Sequence, residues 1–212
     1  MNGDELDMLD QADFIQEGLR CLQREALDSG VLLEHQEVRI ELTIRGTTFH
    51  RYQTFPQPLP GGPSVHISFS ENALDSWAEE LKRRSYVPGV GTWMKLEIRL
   101  YKDAPGRIKF FDDNATAPTH QFEVGLEAKE YIVELAAFPR TPDRIPPWMW
   151  AIFKESGLQP PIYNPEFKSV DWKNKRRPVS DLGTDLTAES VVIEASFESG
   201  VFAKIGRKLF GG

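Results

Sequence analysis

The chain has 212 residues, 40% of them hydrophobic and 11% aromatic, enough to bury a core in one large domain or two small ones. With 32 acidic against 25 basic residues the net charge is −7, which argues against general binding to nucleic acid or anionic membrane, since both attract a basic surface. One cysteine, Cys21, excludes a disulfide framework and a cysteine-rich zinc site.

The start, Met-Asn-Gly-Asp-Glu, carries neither a basic nor an apolar leader region, and no apolar run approaches the ~18 residues of a membrane span. A cytoplasmic protein is the expectation. Residues 4–28 read as a helix. Ile15, Leu19, Leu22 and Ala26 share one face, acidic residues crowd the start, and Ser29-Gly30 is a stop. This helix either packs on the body or serves as a partner-binding arm. Val38, Ile40, Leu42 and Ile44 alternate with charged neighbours, the pattern of a half-buried strand. A turn at Arg45-Gly46-Thr47 leads into a returning strand over 47–55. Pro56 to Pro63 cannot carry a ladder, and a short strand follows at Val65, Ile67 and Phe69.

Ser70 caps a predicted helix over 71–84 with a stripe of Leu74, Trp77, Ala78 and Leu81. Met94 to Leu100 and Arg107 to Phe111 read as strands, and 112–119 as a polar linker. A second hairpin is expected over 121–138, with Phe122, Val124 and Leu126 on one arm and Tyr131, Val133 and Leu135 on the other. Pro146 to Ser156 reads as a helix stopped by Gly157. Residues 158–187 read as a long Pro-rich, basic loop with a short strand or turn. A last strand is expected at Val191 to Phe197, and then a basic, apolar tail. The two halves share an order of elements, though not of residues.

Few residues carry chemistry. His35, His50, His66 and His120 lack metal-ligand spacing and read as surface histidines; the weaker alternative is that His50 and His66, both on expected strands, face one side of a sheet and with carboxylates form a metal or acid–base site of an enzyme. Cys21 lies beside the helix stripe and reads as a half-buried structural thiol. Asp112-Asp113-Asn114 lacks the spacing of a calcium loop and reads as a polar turn. The basic stretches Lys82-Arg83-Arg84 and Lys173 to Arg177 read as solvated surface. Trp148 and Trp150, in one short segment, suit a core helix or a partner groove, so one is assigned to the core and the other left open as a partner contact. Trp172 reads as a loop anchor. No phosphate loop, nucleophile elbow or dinucleotide motif occurs. The expectation is a protein that is not an enzyme and takes no cofactor and no metal.

The chain ends Leu209-Phe210-Gly211-Gly212 after the expected strand–tail arrangement. Glycine without a Cβ passes a narrow enzyme channel and leaves its carboxylate within reach of a nucleophile. In this ending, and in the order hairpin, helix, strand, tail over 121–138, 146–156, 191–197 and 204–212, the second half resembles the ubiquitin-like proteins. Phe210 stands where that family usually has arginine. The resemblance implies a β-grasp fold and a modifier conjugated through Gly211 and Gly212, with activating and conjugating enzymes as partners. Lys204, Arg207, Lys208 and Phe210 would dock the tail. Residues 36–111 would be a second, divergent copy.

The expected fold is therefore α+β with antiparallel sheets. It comprises an N-terminal acidic helix (1–35), a first β-rich module (36–114) and a second β-grasp-like module with the tail (115–212). A single β-sandwich with peripheral helices is the alternative. The leading function is a ubiquitin-like modifier. The alternative is a non-enzymatic protein-binding module, an adaptor or an immunity-like inhibitor of another protein. Neither nucleic acid nor membrane is an expected partner.

Overall fold

The computed structural model describes residues 3–46, 48–54, 73–117 and 124–185. The chain forms two compact units. One is Met1–Ile44, Thr48–Val87 and Thr92–Ala117, and the other is Arg45–Thr47, Pro88–Gly91 and Pro118–Gly212.

The first unit opens with α1 (Gly3–Asp28), which ends where Gly30 takes a left-handed φ of 81°. A single-turn α2 (Val31–Glu34) leads into β1 (Glu37–Arg45) and β2 (Thr48–Thr54). Then come α3 (Ala73–Arg84), β3 (Lys95–Tyr101) and β4 (Arg107–Phe110). The strands lie in the order β2-β1-β3-β4. β3 runs antiparallel to both β1 and β4, with Val38 opposite Leu100, Ile40 opposite Ile98 and Leu42 opposite Leu96. Strict alternation in β1 puts Val38, Ile40, Leu42 and Ile44 on one fully buried face. Helices cover that face: Leu19, Leu22 and Ala26 of α1 and Leu74, Ala78 and Leu81 of α3 join the same core. The N-terminal helix is thus a structural layer of its unit. A sheet covered by helices, and not by a second sheet, also departs from the sandwich alternative.

The opposite face of the sheet is a charge ladder. Glu97, only 4% exposed, receives Arg99 at 2.7 Å and is also paired with Arg39, while Lys95 reaches Glu41 at 3.0 Å. Burial alone would push the Glu97 carboxyl up, but the bonds and charges of the two guanidinium groups outweigh it and hold it below the usual carboxylate range. Lys82 departs from the solvated reading of its basic stretch. It is fully buried, and its ammonium donates to the carbonyls of Ile44 at 3.2 Å and Trp93 at 2.6 Å. After β4 the predicted linker instead begins with a 3₁₀ turn (Asp113–Thr116), capped where Asp112 accepts from the Asn114 N–H at 2.6 Å.

The second unit differs most from expectation. The predicted hairpin over 121–138 is a single helix, α4 (Val124–Ala137). Ala128 and every residue from Tyr131 to Ala136 are buried. With Glu134 buried too, the exposed Lys129 and half-buried Glu130 leave a polar side too narrow to show a 3.6-residue period, and alternation appears by accident. The supposed turn, Glu127-Ala128-Lys129, consists of helix formers and carries no Gly, Pro, Asn or Asp to reverse the chain. With that hairpin gone, the shared order of elements between the halves goes too. A second helix, α5 (Pro147–Ser156), starts on proline and stops at Gly157, whose φ is +68°, as read from the sequence.

Residues 158–187, expected to be mainly loop, contain a three-stranded antiparallel sheet: β5 (Ile162–Asn164), β6 (Ser169–Trp172) and β7 (Lys175–Pro178), in that order. Strands of three or four residues, the last of them Lys-Arg-Arg-Pro, are too short to give a period-2 pattern. The expected strand at 65–69, the last strand at 191–197 and the whole tail lie outside the described residues.

Candidate protein-binding surface

The second unit presents a candidate surface built from α5 and a small sheet. It begins at α5. Trp148 turns inward and meets the buried Tyr131 edge-on, with ring centres 5.2 Å apart. Trp150 is 36% exposed and donates from its indole N–H to the Pro142 carbonyl at 3.2 Å. One tryptophan therefore serves packing, and the other presents an apolar ring with its polar atom satisfied.

The small sheet follows. β6 and β7 are joined by Lys173-Asn174, both left-handed, with φ of 49° and 58°. Two such residues between paired Trp172 and Lys175 make the twisted two-residue turn that matches the twist of a hairpin. Lys168, at φ 46°, turns the chain between β5 and β6. Pairing puts Ile162, Asp171 and Arg176 in one row across the three strands, and Asn164, Ser169 and Pro178 in the next row of the same face.

Asp171 is the hub of that face. Arg176 grips both carboxylate oxygens, at 2.8 and 3.0 Å, Asn164 donates at 3.0 Å and Ser169 at 3.3 Å. The Arg176 guanidinium, then the Asn164 amide, hold the Asp171 carboxyl down at about 2. The same guanidinium lies 3.8 Å from the ring centre of Phe167. A long, flexible arginine is thus fixed in one place by a carboxylate on one side and a ring on the other. Trp172, nearly buried, anchors the sheet by donating to the Gln159 carbonyl at 3.0 Å, which agrees with its anchor reading. A groove of about 590 Å³ runs along this region, bordered by Gln159, Pro160, Ile162 and the stretch from Asp171 to Arg176. Phe167 is 52% exposed, Leu182 51% and Leu158 38%, so the unit keeps several large apolar side chains at its surface.

The other predicted positions come together less. His50 lies on β2, and His35 is buried just after α2, while His66 and His120 fall outside the described residues. Among the described residues no group of three or more His, Cys, Asp or Glu is placed to hold a metal ion. Cys21 is exposed, not half-buried, because its helix position falls between Leu19 and Leu22 and looks outward, with its thiol 3.8 Å from Glu17. Lys204, Arg207, Lys208, Phe210, Gly211 and Gly212 also lie outside the described residues. The residues that sequence reasoning missed are Phe167, Asp171 and Arg176. Only the Asn174 turn residue inside a basic run pointed to a hairpin there.

No helix among the described residues is long and apolar enough to cross a membrane. No protein-family model, no curated protein and no solved structure matches this chain.

Proposed function

We propose that this chain is a non-enzymatic protein-binding module whose contact surface is the β5–β7 face with the adjoining exposed side chains of its unit. The observation that carries this reading is the Asp171–Arg176–Phe167 assembly. Arginine and aromatic side chains dominate the energetics of protein interfaces, and they contribute most when their rotamers are fixed beforehand. Here the guanidinium is already immobilised at the surface, so little side-chain entropy remains to be lost when a partner arrives. Trp150 adds a second aromatic contact of the same kind.

The test is site-specific photo-crosslinking of the full chain in its native host. A photoreactive residue at Phe167 should give a discrete adduct, and one at the exposed Ala12 of α1 should not. Arg176→Ala should remove the adduct without changing the far-UV spectrum. Equal adducts from both positions, or none from Phe167, would sink the reading.

The modifier reading ranks second. It rests on Gly211-Gly212 alone, since the β-grasp mapping over 121–212 loses its first hairpin to α4. In that reading Lys204, Arg207, Lys208 and Phe210 dock the tail on an activating enzyme, and ATP-dependent acyl transfer proceeds from Gly212.

A further inference from the structure

We infer that the partner segment seated on the β5–β7 face is an acidic stretch of another protein, recognised through side chains and not by addition of a strand. This rests on the protein-binding reading above and supplies the chemistry of the ligand.

Three observations converge on it. The first is charge. From Ile162 to Arg177 the chain carries five cations, Lys168, Lys173, Lys175, Arg176 and Arg177, against two carboxylates, Glu166 and Asp171, in a protein whose net charge is −7. Asp171 and Arg176 cancel each other, and Arg177, opposite Val170, falls on the other face of the sheet, so the positive excess beside the groove comes from the lysines. The local field therefore opposes that of the whole chain, and oppositely charged partners are selected and oriented by such a field.

The second is placement. Two of the cations are held against aromatic rings. Lys173 lies 4.8 Å from the ring centre of Trp172, and Arg176 stacks over Phe167. Both Lys173 and Arg176 border the groove, as does Lys175. The left-handed backbone at Lys173-Asn174 fixes where these side chains leave the hairpin. Apolar neighbours Ile162 and Pro160 line the same groove, which suits a segment that mixes carboxylates with apolar residues.

The third concerns mode. β7 ends the sheet order among the described residues. It reads Lys-Arg-Arg-Pro, and lysine and proline on an edge strand are the usual means of blocking strand addition. Pro178 lacks an N–H, which removes a donor from the ladder. At the other edge, β5, the Tyr163 N–H is already given to the Arg140 carbonyl at 2.9 Å, so contacts come from side chains on the face. Nucleic acid offers the same negative charge, but the −7 total opposes a long polyanion, while a short acidic peptide samples only the local field.

The experiment is a titration of the full-length, isotope-labelled chain followed by NMR. The probes are a short peptide alternating Glu and Leu, its Lys-Leu counterpart, and oligouridylate RNA. The acidic peptide should give saturable shifts at Trp172 and Arg176, weakening with added salt. K173E combined with K175E should weaken it by about tenfold or more, and Lys175→Gln, which only removes charge, should weaken it less. Preferential binding of the Lys-Leu peptide, tighter binding of the RNA, or an acidic complex indifferent to K173E/K175E would each overturn the inference. So would silence from all three probes. Since crosslinking from Phe167 is independent of these probes, failure here with crosslinking intact removes the acidic assignment and leaves the module reading standing.

Discussion

At the scale of single residues, the first unit buries the charged side chains of Lys82 and Glu97. The Lys82 ammonium spends its protons on two backbone carbonyls inside the core, and its ring neighbour Trp93 lies 5.3 Å away. Lys82→Met keeps the length but strands both carbonyls, so it should cost about 3 kcal/mol, read as a lower urea midpoint at unchanged slope. Acid should act on two carboxyls. Glu97 is lowered because its two arginines outweigh its burial, and Asp171 is lowered to about 2 chiefly by Arg176. A group depressed in the folded state stabilises above its unfolded value, about 4, and loses that contribution as pH falls through the folded value. Stability should therefore decline below about pH 4 and fall further towards pH 2. Asp171→Asn should flatten the lower part of that curve in a urea–pH series.

At the scale of elements, close approach and turn geometry make sharper demands than propensity. Gly18 sits on α1 where a Cβ would land on the Trp77 indole, whose N–H reaches the Phe14 carbonyl at 3.4 Å. Alanine at this position gains up to about 1 kcal/mol of helix propensity. Overpacking costs roughly 1–3 kcal/mol, and the indole must also leave its bond. Gly18→Ala should thus be destabilising on balance, which thermal unfolding would register as a lower Tm. In the β6–β7 hairpin, Asn174 tolerates a φ of 58° that a β-branched residue does not. Asn174→Val should weaken the hairpin by about 1–2 kcal/mol, seen as lost hydrogen-exchange protection over 169–178. The elements themselves were unevenly legible. β1, α3, β3 and α5 could be read because each has one wet and one dry side or a clear stop. α4 could not, since a buried glutamate sits among its apolar residues and little of it is exposed, and the small sheet could not, since its strands are too short to show alternation.

At the scale of the whole molecule, the binding and modifier readings part company over Gly211-Gly212. A chain ending at Phe210 should keep the Phe167 crosslink at full yield and unfold at the same midpoint, and loss of the crosslink on that truncation would return the modifier reading to first place. The sequence by itself determined a mixed α+β chain with antiparallel strands, the amphipathic faces that build the first core, and the −7 charge that disfavours polyanions. Those follow from local periodicity and from composition, which need no knowledge of neighbours. Tertiary structure alone decided that residues 124–137 are helix, that Lys82 is buried while Cys21 is exposed, and that Arg176 lies between Asp171 and Phe167. The physical reason is the same in each case. Those outcomes depend on which distant groups come to share a face, and the side chain's own pattern carries no record of its eventual partner.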